Sequence, residues 1–210
     1  MKNSLCMLIQ SIDTLSTQSA EQDKEQSEEL ARLHYEASRL NTNLLQLLSL
    51  YRAEKNQLPL NVEEHYIEDL IDEVLAKNEL YIENHQLSVE ADFDSELVWY
   101  FDMDMISNLL NDIFINALRY SKGKIHVKAE LEAEQLKISI ADNGEGYPES
   151  MLAISEVEMH DLDLNAGRTG LGLFFARLIA QAHQNKNKQG KILLQNGGSL
   201  GGSVFTLYLP

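Results

Sequence analysis

Three short segments of the chain contain residues whose types and spacing suit ligand binding. In ADNGEGYP, residues 141–148, Asp142 ends an alternating strand pattern. A buried carboxylate at that place can accept a hydrogen bond from an amino group, and Gly144 and Gly146 allow a flat ring to approach the backbone. The alternative interpretation is an ordinary turn, because Asp, Asn and Gly favour turns.

The second segment, GRTGLGLFFARLIAQAH, places Gly167, Gly170 and Gly172 around the start of an apolar helix pattern. Glycine inside a helix costs roughly 0.5–1 kcal/mol relative to alanine, so its presence here suggests that something approaches the backbone closely. Unpaired N–H groups at a helix start can bind phosphates. Alone, the spacing is weak evidence, because it is also an imperfect dinucleotide-binding pattern.

The third segment, NDIFINALRYS, contains Asp112 and Asn116, which are four residues apart and therefore share one helical face. Arg119 and Tyr120 follow one turn later. Taken alone, this pattern also fits a solvated helix face with one buried asparagine.

The composition restricts the classes of partner. The 210 residues include 33 acidic and 17 basic side chains, a formal net charge of −16, which disfavours nucleic acid because phosphate backbones are bound by clustered Lys and Arg. No apolar run reaches the roughly 18–20 residues that cross a bilayer. The single cysteine suits a reducing compartment. We therefore expect no nucleic-acid partner, no membrane contact and a cytoplasmic location.

Periodicity predicts the elements that position these segments. Apolar residues recur at helical spacing in 66–75, 105–121 and 170–183, and alternate as in strands in 87–93, 124–131, 136–142, 191–195 and 204–210. Neighbouring strands close enough for hairpins, mixed with helices, predict an α+β fold with helices on a mixed, mostly antiparallel sheet.

The first 59 residues have a different pattern. After an apolar helix pattern from Leu5 to Leu15, apolar residues recur at spacings of three and four from Leu30 to Tyr51, an a/d seam over three heptads. Pro59 ends the helix. We predict a helical hairpin over 1–59 that forms a four-helix-bundle homodimer, followed by a separate domain over 60–210. The alternative is a hairpin that packs on its own C-terminal domain.

Taken together and in this order, the three segments resemble the nucleotide-binding domain of sensor histidine kinases, within the ATPase superfamily that includes gyrase, Hsp90 and MutL. NDIFINALRYS is similar to the N-box of that domain, DNGEGYP to its first glycine box and GRTGLGL to its second, while GGSVFTLYLP is similar to its last strand. The resemblance covers roughly residues 60–210 and implies a Bergerat-type two-layer α/β sandwich. The hairpin resembles the dimerisation domain of these kinases.

The resemblance implies that the matched positions bind ATP and Mg²⁺. Asn116 matches the asparagine that ligates Mg²⁺, and Asp142 matches the carboxylate that accepts from the adenine amino group. The full set of implied nucleotide contacts is Asn116, Arg119 and Tyr120 on the helix, Asp142, Gly144 and Gly146 beside the base, and Thr169, Gly170, Leu171 and Gly172 at the phosphates. His183, at a position where the family commonly has histidine, is interpreted as structural.

The chain departs from the family pattern in three places. Asp112 stands where the kinases usually have a second asparagine, so it either ligates Mg²⁺ or orients water, as an acid there does in gyrase-like relatives. The segment 149–166 is short and contains no aromatic residue, unlike the usual lid. The phosphoacceptor motif matches MKN from its third position on, so we expect the acceptor histidine just upstream of residue 1.

The resemblance therefore implies an enzyme, a histidine protein kinase that transfers the ATP γ-phosphoryl group to that histidine for relay to a response regulator receiver domain. The chain would be cytoplasmic, alone or as part of a membrane-anchored receptor. Two alternatives stay open. One is a non-catalytic, ATP-binding dimeric regulatory module that lacks the acceptor histidine, and the other is an ATP-hydrolysing switch.

Overall fold

The computed structural model describes residues 60–154 and 170–210, which belong to one compact unit, Pro59–Pro210. The predicted hairpin over 1–59 and the part of the second glycine box up to Thr169 lie outside the described residues. The division of the chain into domains 1–59 and 60–210 therefore stays a prediction.

Four helices occupy the described residues. Helices α1 and α2 are long and have apolar faces, which are buried, and α4 begins at the second glycine box. Their bounds are α1 Ile67–Asn84, α2 Met103–Tyr120, α3 Glu149–Ile154 and α4 Gly170–Ala182. Asp102 caps the N-terminus of α2, since its side chain accepts a hydrogen bond from the Met105 N–H at 2.9 Å.

Nine strands form three sheets within the same residues. Their bounds are β1 Glu63–Tyr66, β2 Ser88–Asp92, β3 Val98–Phe101, β4 Lys124–Glu132, β5 Gln135–Asp142, β6 Gln184–Asn185, β7 Lys188–Gln189, β8 Lys191–Asn196 and β9 Ser203–Leu209. The main sheet has the order β2-β4-β5-β9-β8. Only the β2–β4 pair is parallel, so the predicted mixed, mostly antiparallel sheet is confirmed.

The hydrophobic core lies between the helices and one face of this sheet. Alternate strand residues such as Val127, Ile138 and Leu207 point inward and meet the apolar faces of α1, α2 and α4. Helix α2 packs against α1 on one side and α4 on the other. The alternation also places Asp142, the last residue of β5, on the inner side.

The sequence patterns did not predict the small β1–β3 ribbon. The β1 segment EEHY is polar and shows no alternation, so its strand character comes from pairing with the apolar segment VWYF of β3. The ribbon also holds the start of α1, because the Leu97 carbonyl accepts from the Ile67 N–H at 2.9 Å. Within residues 60–154 and 170–210, no helix has the length and apolar character needed to cross a bilayer.

Candidate functional site

Asp142 is the most deeply buried of the predicted site residues, with 2% of its surface exposed. Its Oδ1 accepts from the backbone N–H of Gly144 at 2.6 Å and from that of Ser203 at 3.3 Å. Its Oδ2 accepts from the Ser203 hydroxyl. These donors offset the cost of burying the charge, which would otherwise be several kcal/mol, and they fix the carboxylate in one orientation.

Gly144 brings the loop after β5 against the end of α2. A Cβ at this position would collide with the Tyr120 carbonyl oxygen and would lie 2.9 Å from Oδ1 of Asp142. The missing side chain therefore allows a protein contact, in addition to the approach of a ring that the sequence suggested. Gly144 thus lies next to two other predicted site residues, the carboxylate of Asp142 and the backbone carbonyl of Tyr120.

The same loop is attached to its surroundings by two asparagine side chains. Oδ1 of Asn143 accepts from the backbone N–H groups of Lys122 at 2.8 Å and Lys124 at 3.0 Å. Asn196 pairs with both backbone groups of Tyr147. Gly146 has φ of +87°, a left-handed conformation that glycine adopts without strain.

Helix α2 presents the polar face expected from the sequence. Asp112 is half-buried, whereas Asn116, one turn later, and Arg119, two turns later, are exposed, as is Tyr120 with 61% of its surface. Burial raises the pKa of Asp112 to about 6. The face thus combines a carboxyl group that is protonated more readily than usual with an accessible amide and a guanidinium group.

The start of α4 supplies backbone groups for the predicted phosphate end of the site. Gly170 is the first residue of the helix, and Leu171 and Gly172 lie in its first turn, so their N–H groups have no partner within the helix. A Cβ at Gly172 would point into space with no described atom within 4 Å. Thr169 lies outside the described residues.

His183 lies away from this cluster and connects two helices. Its Nδ1–H donates to the Ile179 carbonyl at 2.8 Å, so its Nε2 is left to accept from the backbone N–H of Asp102 at 3.1 Å. Burial lowers the pKa of His183. These contacts agree with its interpretation as a structural residue.

Sequence reasoning assigned no role to Ser203, although this residue contacts both carboxylate oxygens of Asp142. Its position at the start of the last strand, directly after two glycines, was the available signal. Asn143 and Asn196 were missed in the same way. All three act through hydrogen bonds to partners that are distant in sequence or belong to another element.

The chain is similar to known proteins in family, sequence and fold. The family described as histidine kinase-, DNA gyrase B-, and HSP90-like ATPase matches residues 101–210. The sensor protein SrrB of Staphylococcus aureus is 27% identical over 194 residues, which are 87% of this chain and 31% of the relative. The chain thus spans about a third of the length of that relative.

Solved structures with a similar fold are also histidine kinases. The Acinetobacter baumannii histidine kinase AdeS is 25% identical with a TM-score of 0.65, over 99% of this chain and 95% of that chain. The catalytic domain of histidine kinase ThkA, in a nucleotide-free form, is 22% identical with a TM-score of 0.59. It covers 72% of this chain and 97% of its own, and at that identity it supports the fold alone.

Proposed function

Since the chain belongs to the family of histidine kinase-, DNA gyrase B- and HSP90-like ATPases, we propose that it is the ATP-binding part of a two-component sensor kinase, transferring the γ-phosphoryl group of ATP to a histidine. A response regulator receiver domain would then take the phosphoryl group. The similarity to SrrB and AdeS, a sensor protein and a histidine kinase, favours this branch of the family.

The observation that carries the proposal is the position of Gly144, which lies against both the Asp142 carboxylate and the backbone carbonyl of Tyr120. A buried carboxylate fixed by three donors lies beside the C-terminal end of the helix that bears Asn116. In our proposal Asp142 accepts from the adenine amino group, while Tyr120, Gly144 and Gly146 border the base. A site built to accept a hydrogen bond from a ligand discriminates against a base that lacks the matching donor.

The residues of α2 fit a magnesium ion. Mg²⁺ prefers oxygen ligands and is usually held by one or two protein groups together with substrate phosphates. The exposed amide of Asn116 supplies one such oxygen, and Asp112, on the same helical face, supplies a second candidate. When bound, the ion would offset negative charge on the transferring phosphoryl group.

The first turn of α4 fits the phosphates. Its backbone N–H groups and the positive end of the helix dipole favour negative charge, and no atom of residues 60–154 and 170–210 outside this turn lies within 4 Å of a Cβ built at Gly172. We propose that Gly170, Leu171 and Gly172, together with Thr169, orient the triphosphate, and that Arg119 adds a positive charge near it. Orientation and charge stabilisation of this kind are the main contributions a protein makes to phosphoryl transfer.

A thermal-shift titration tests nucleotide binding. A ligand present at a hundred times its Kd stabilises the native state by about 2.7 kcal/mol, which corresponds to a rise of about 5–10 °C in Tm for a protein of this size. Mg²⁺–ADP should produce this rise, and Mg²⁺–GDP, which lacks the amino group at the position read by Asp142, should produce much less. A folded chain that responds to neither nucleotide at millimolar concentration would contradict the proposal.

Phosphoryl transfer requires a separate assay. Mixed with a histidine-bearing kinase dimerisation domain and γ-labelled ATP, the chain should produce an acid-labile label on that domain. A variant with Asn116 changed to alanine should retain its fold but lose the label, because the amide oxygen proposed for Mg²⁺ is removed. Transfer that is unaffected in this variant would exclude the proposed metal role of Asn116.

A second candidate function, ATP hydrolysis, is favoured by one observation. Asp112 is a half-buried carboxyl group one helical turn before Asn116, a placement that suits a general base for water. Under this alternative the chain would release inorganic phosphate from ATP steadily, and Asp112→Asn would abolish the release. Under the kinase proposal, steady release would be slow in the wild type and the variant would change it little.

The assembly and location of the protein are part of the same proposal. The seam over Leu30 to Tyr51 is proposed to form a homodimer through a four-helix bundle, the arrangement that the resemblance to kinase dimerisation domains suggests. We propose a cytoplasmic location, because both ATP and response regulators are used there.

A further inference from the structure

The loop that follows Asp142 is held by a side chain from the far end of the sheet. Asn196 is the last residue of β8, the edge strand of the main sheet, and lies 49 residues from Tyr147 in the sequence. Its Oδ1 accepts from the Tyr147 N–H at 2.6 Å, and its Nδ2 donates to the Tyr147 carbonyl at 2.8 Å. One amide side chain thus satisfies both backbone groups of one loop residue, as a neighbouring strand would.

The packing around this pair fixes the position of the loop. A Cβ at Gly146 would lie 2.7 Å from Oδ1 of Asn196, so the asparagine occupies the space that a side chain would need. At the other end of the loop, Asn143 is bonded to the turn after α2. The loop is therefore attached at both ends, by Asn143 near Asp142 and by Asn196 at Tyr147.

Tyr147 connects this attachment to the carboxylate. Its ring is half-buried against the hydrophobic core. Burial raises the pKa of the Tyr147 hydroxyl to about 12, a hydrogen bond with Ser203 lowers it, and the charge of Asp142 raises it. Asn196 thus holds the backbone of Tyr147, and the side chain of Tyr147 in turn contacts Ser203, which bonds to Asp142.

We propose that Asn196 is a positioning residue for base recognition: by holding Tyr147 through both of its backbone groups, it fixes the loop that borders the Asp142 carboxylate. The inference rests on the proposed function of Asp142 as the acceptor for the adenine amino group. Asn196 itself is exposed at the end of β8 and acts through Tyr147.

The test compares ADP and GDP binding by calorimetry in the 210-residue chain. Asn196→Ala removes both hydrogen bonds that hold Tyr147, and we expect the Kd for ADP to rise about tenfold, which corresponds to about 1.4 kcal/mol. The Kd for GDP, which gains nothing from Asp142, should stay within about twofold. The ratio of the two affinities should therefore fall, which a general loss of stability would not produce.

Two further variants complete the design. Asn196→Asp keeps the acceptor for the Tyr147 N–H but loses the donor, so its Kd for ADP should lie between those of the wild type and Asn196→Ala. Gln195→Ala is the matched control, because Gln195 is equally exposed on the preceding position of β8 and points to the other face of the sheet. Its affinities should equal those of the wild type.

The outcomes separate this inference from the function on which it rests. A wild-type chain that does not bind ADP overturns the proposed function. A wild-type chain that binds ADP, with Asn196→Ala and Asn196→Asp both within twofold of it, overturns only the role of Asn196. A parallel loss of ADP and GDP affinity in either variant also overturns it, since that pattern indicates a structural effect on the whole domain.

Discussion

Substitutions at Asp142 can separate its contribution to the fold from its contribution to base binding. The carboxylate accepts from the Gly144 N–H and from both the N–H and the hydroxyl of Ser203. Asp142→Ala leaves these partly buried donors without an acceptor, at a cost of up to about 1–3 kcal/mol for each unsatisfied group. The free energy of unfolding should fall by several kcal/mol, a large part of the 5–15 kcal/mol that is typical of a domain. Lost nucleotide binding in this variant would therefore be ambiguous.

Asp142→Asn removes the ambiguity because it keeps the shape of the side chain. Its Oδ1 still accepts from the Gly144 N–H, and the Ser203 hydroxyl, which can both donate and accept, turns to accept from the new amide. The opposite amide orientation would place two donors against each other at Gly144. We expect the free energy of unfolding to change by no more than about 1 kcal/mol, on the scale of one neutral hydrogen bond.

Nucleotide binding should nevertheless be weakened in Asp142→Asn. The adenine amino group is a donor and would meet an N–H donor in place of a carboxylate oxygen. Loss of a hydrogen bond to a charged acceptor costs about 1.5–3 kcal/mol, which raises the Kd for ADP by a factor of about 10–150.

The assay pairs urea denaturation without ligand with calorimetric titration of ADP, applied to both variants and to Asp72→Asn. That control removes the same charge from an exposed position on α1 and should change neither quantity. If Asp142→Asn binds ADP as tightly as the wild type, Asp142 does not read the base. If it is as unstable as Asp142→Ala, the hydrogen-bond argument for the loop is wrong.

Three other predictions concern stability and assembly. The pKa of His183 is lowered by burial, so at mildly acidic pH the unfolded state binds a proton that the folded state does not. The free energy of unfolding should therefore fall as the pH drops below about 6.5. Urea denaturation between pH 7.5 and 5.5 should show a smaller fall in this free energy for His183→Gln than for the wild type. The pKa of Asp112 is raised from 3.8 to about 6, so the folded state is less stable when this carboxyl group is charged. The free energy of unfolding should therefore fall as the pH rises from about 4 to 6. Without nucleotide and Mg²⁺, Asp112→Asn should therefore be more stable than the wild type at pH 8, by at most about 3 kcal/mol at 1.36 kcal/mol per pKa unit, and equal to it near pH 4. Light scattering at tens of micromolar should show a dimer for the wild type and a monomer for the double variant Leu40→Asp and Leu47→Asp, and the double variant should still bind ADP. A monomeric wild type would mean that the hairpin does not pair with a second copy.

The sequence by itself determined the fold class and the order of the main elements. The spacing of apolar residues located α2 and α4 to within a few residues and the start of α1, although α1 continues to Asn84, well beyond the predicted segment 66–75. Alternation located β2, β4, β5, β8 and β9. These signals suffice because helix and strand periods are local properties that a segment carries wherever it packs. The order of the three polar segments likewise identified the family, which the match over residues 101–210 confirms. The individual site residues stay predictions.

Only the tertiary structure decided which polar groups meet. Ser203 reaches Asp142 across 61 residues and Asn196 reaches Tyr147 across 49, and no local pattern identifies the partner of either side chain. The β1–β3 ribbon was missed for the same reason, since the polar segment EEHY becomes a strand only beside its partner. At Gly144 both sources contribute. The sequence indicated that some group approaches the backbone closely, and the structure identified the Tyr120 carbonyl as such a group. Strand register and helix packing bring such groups together, and both depend on contacts between segments far apart in the chain.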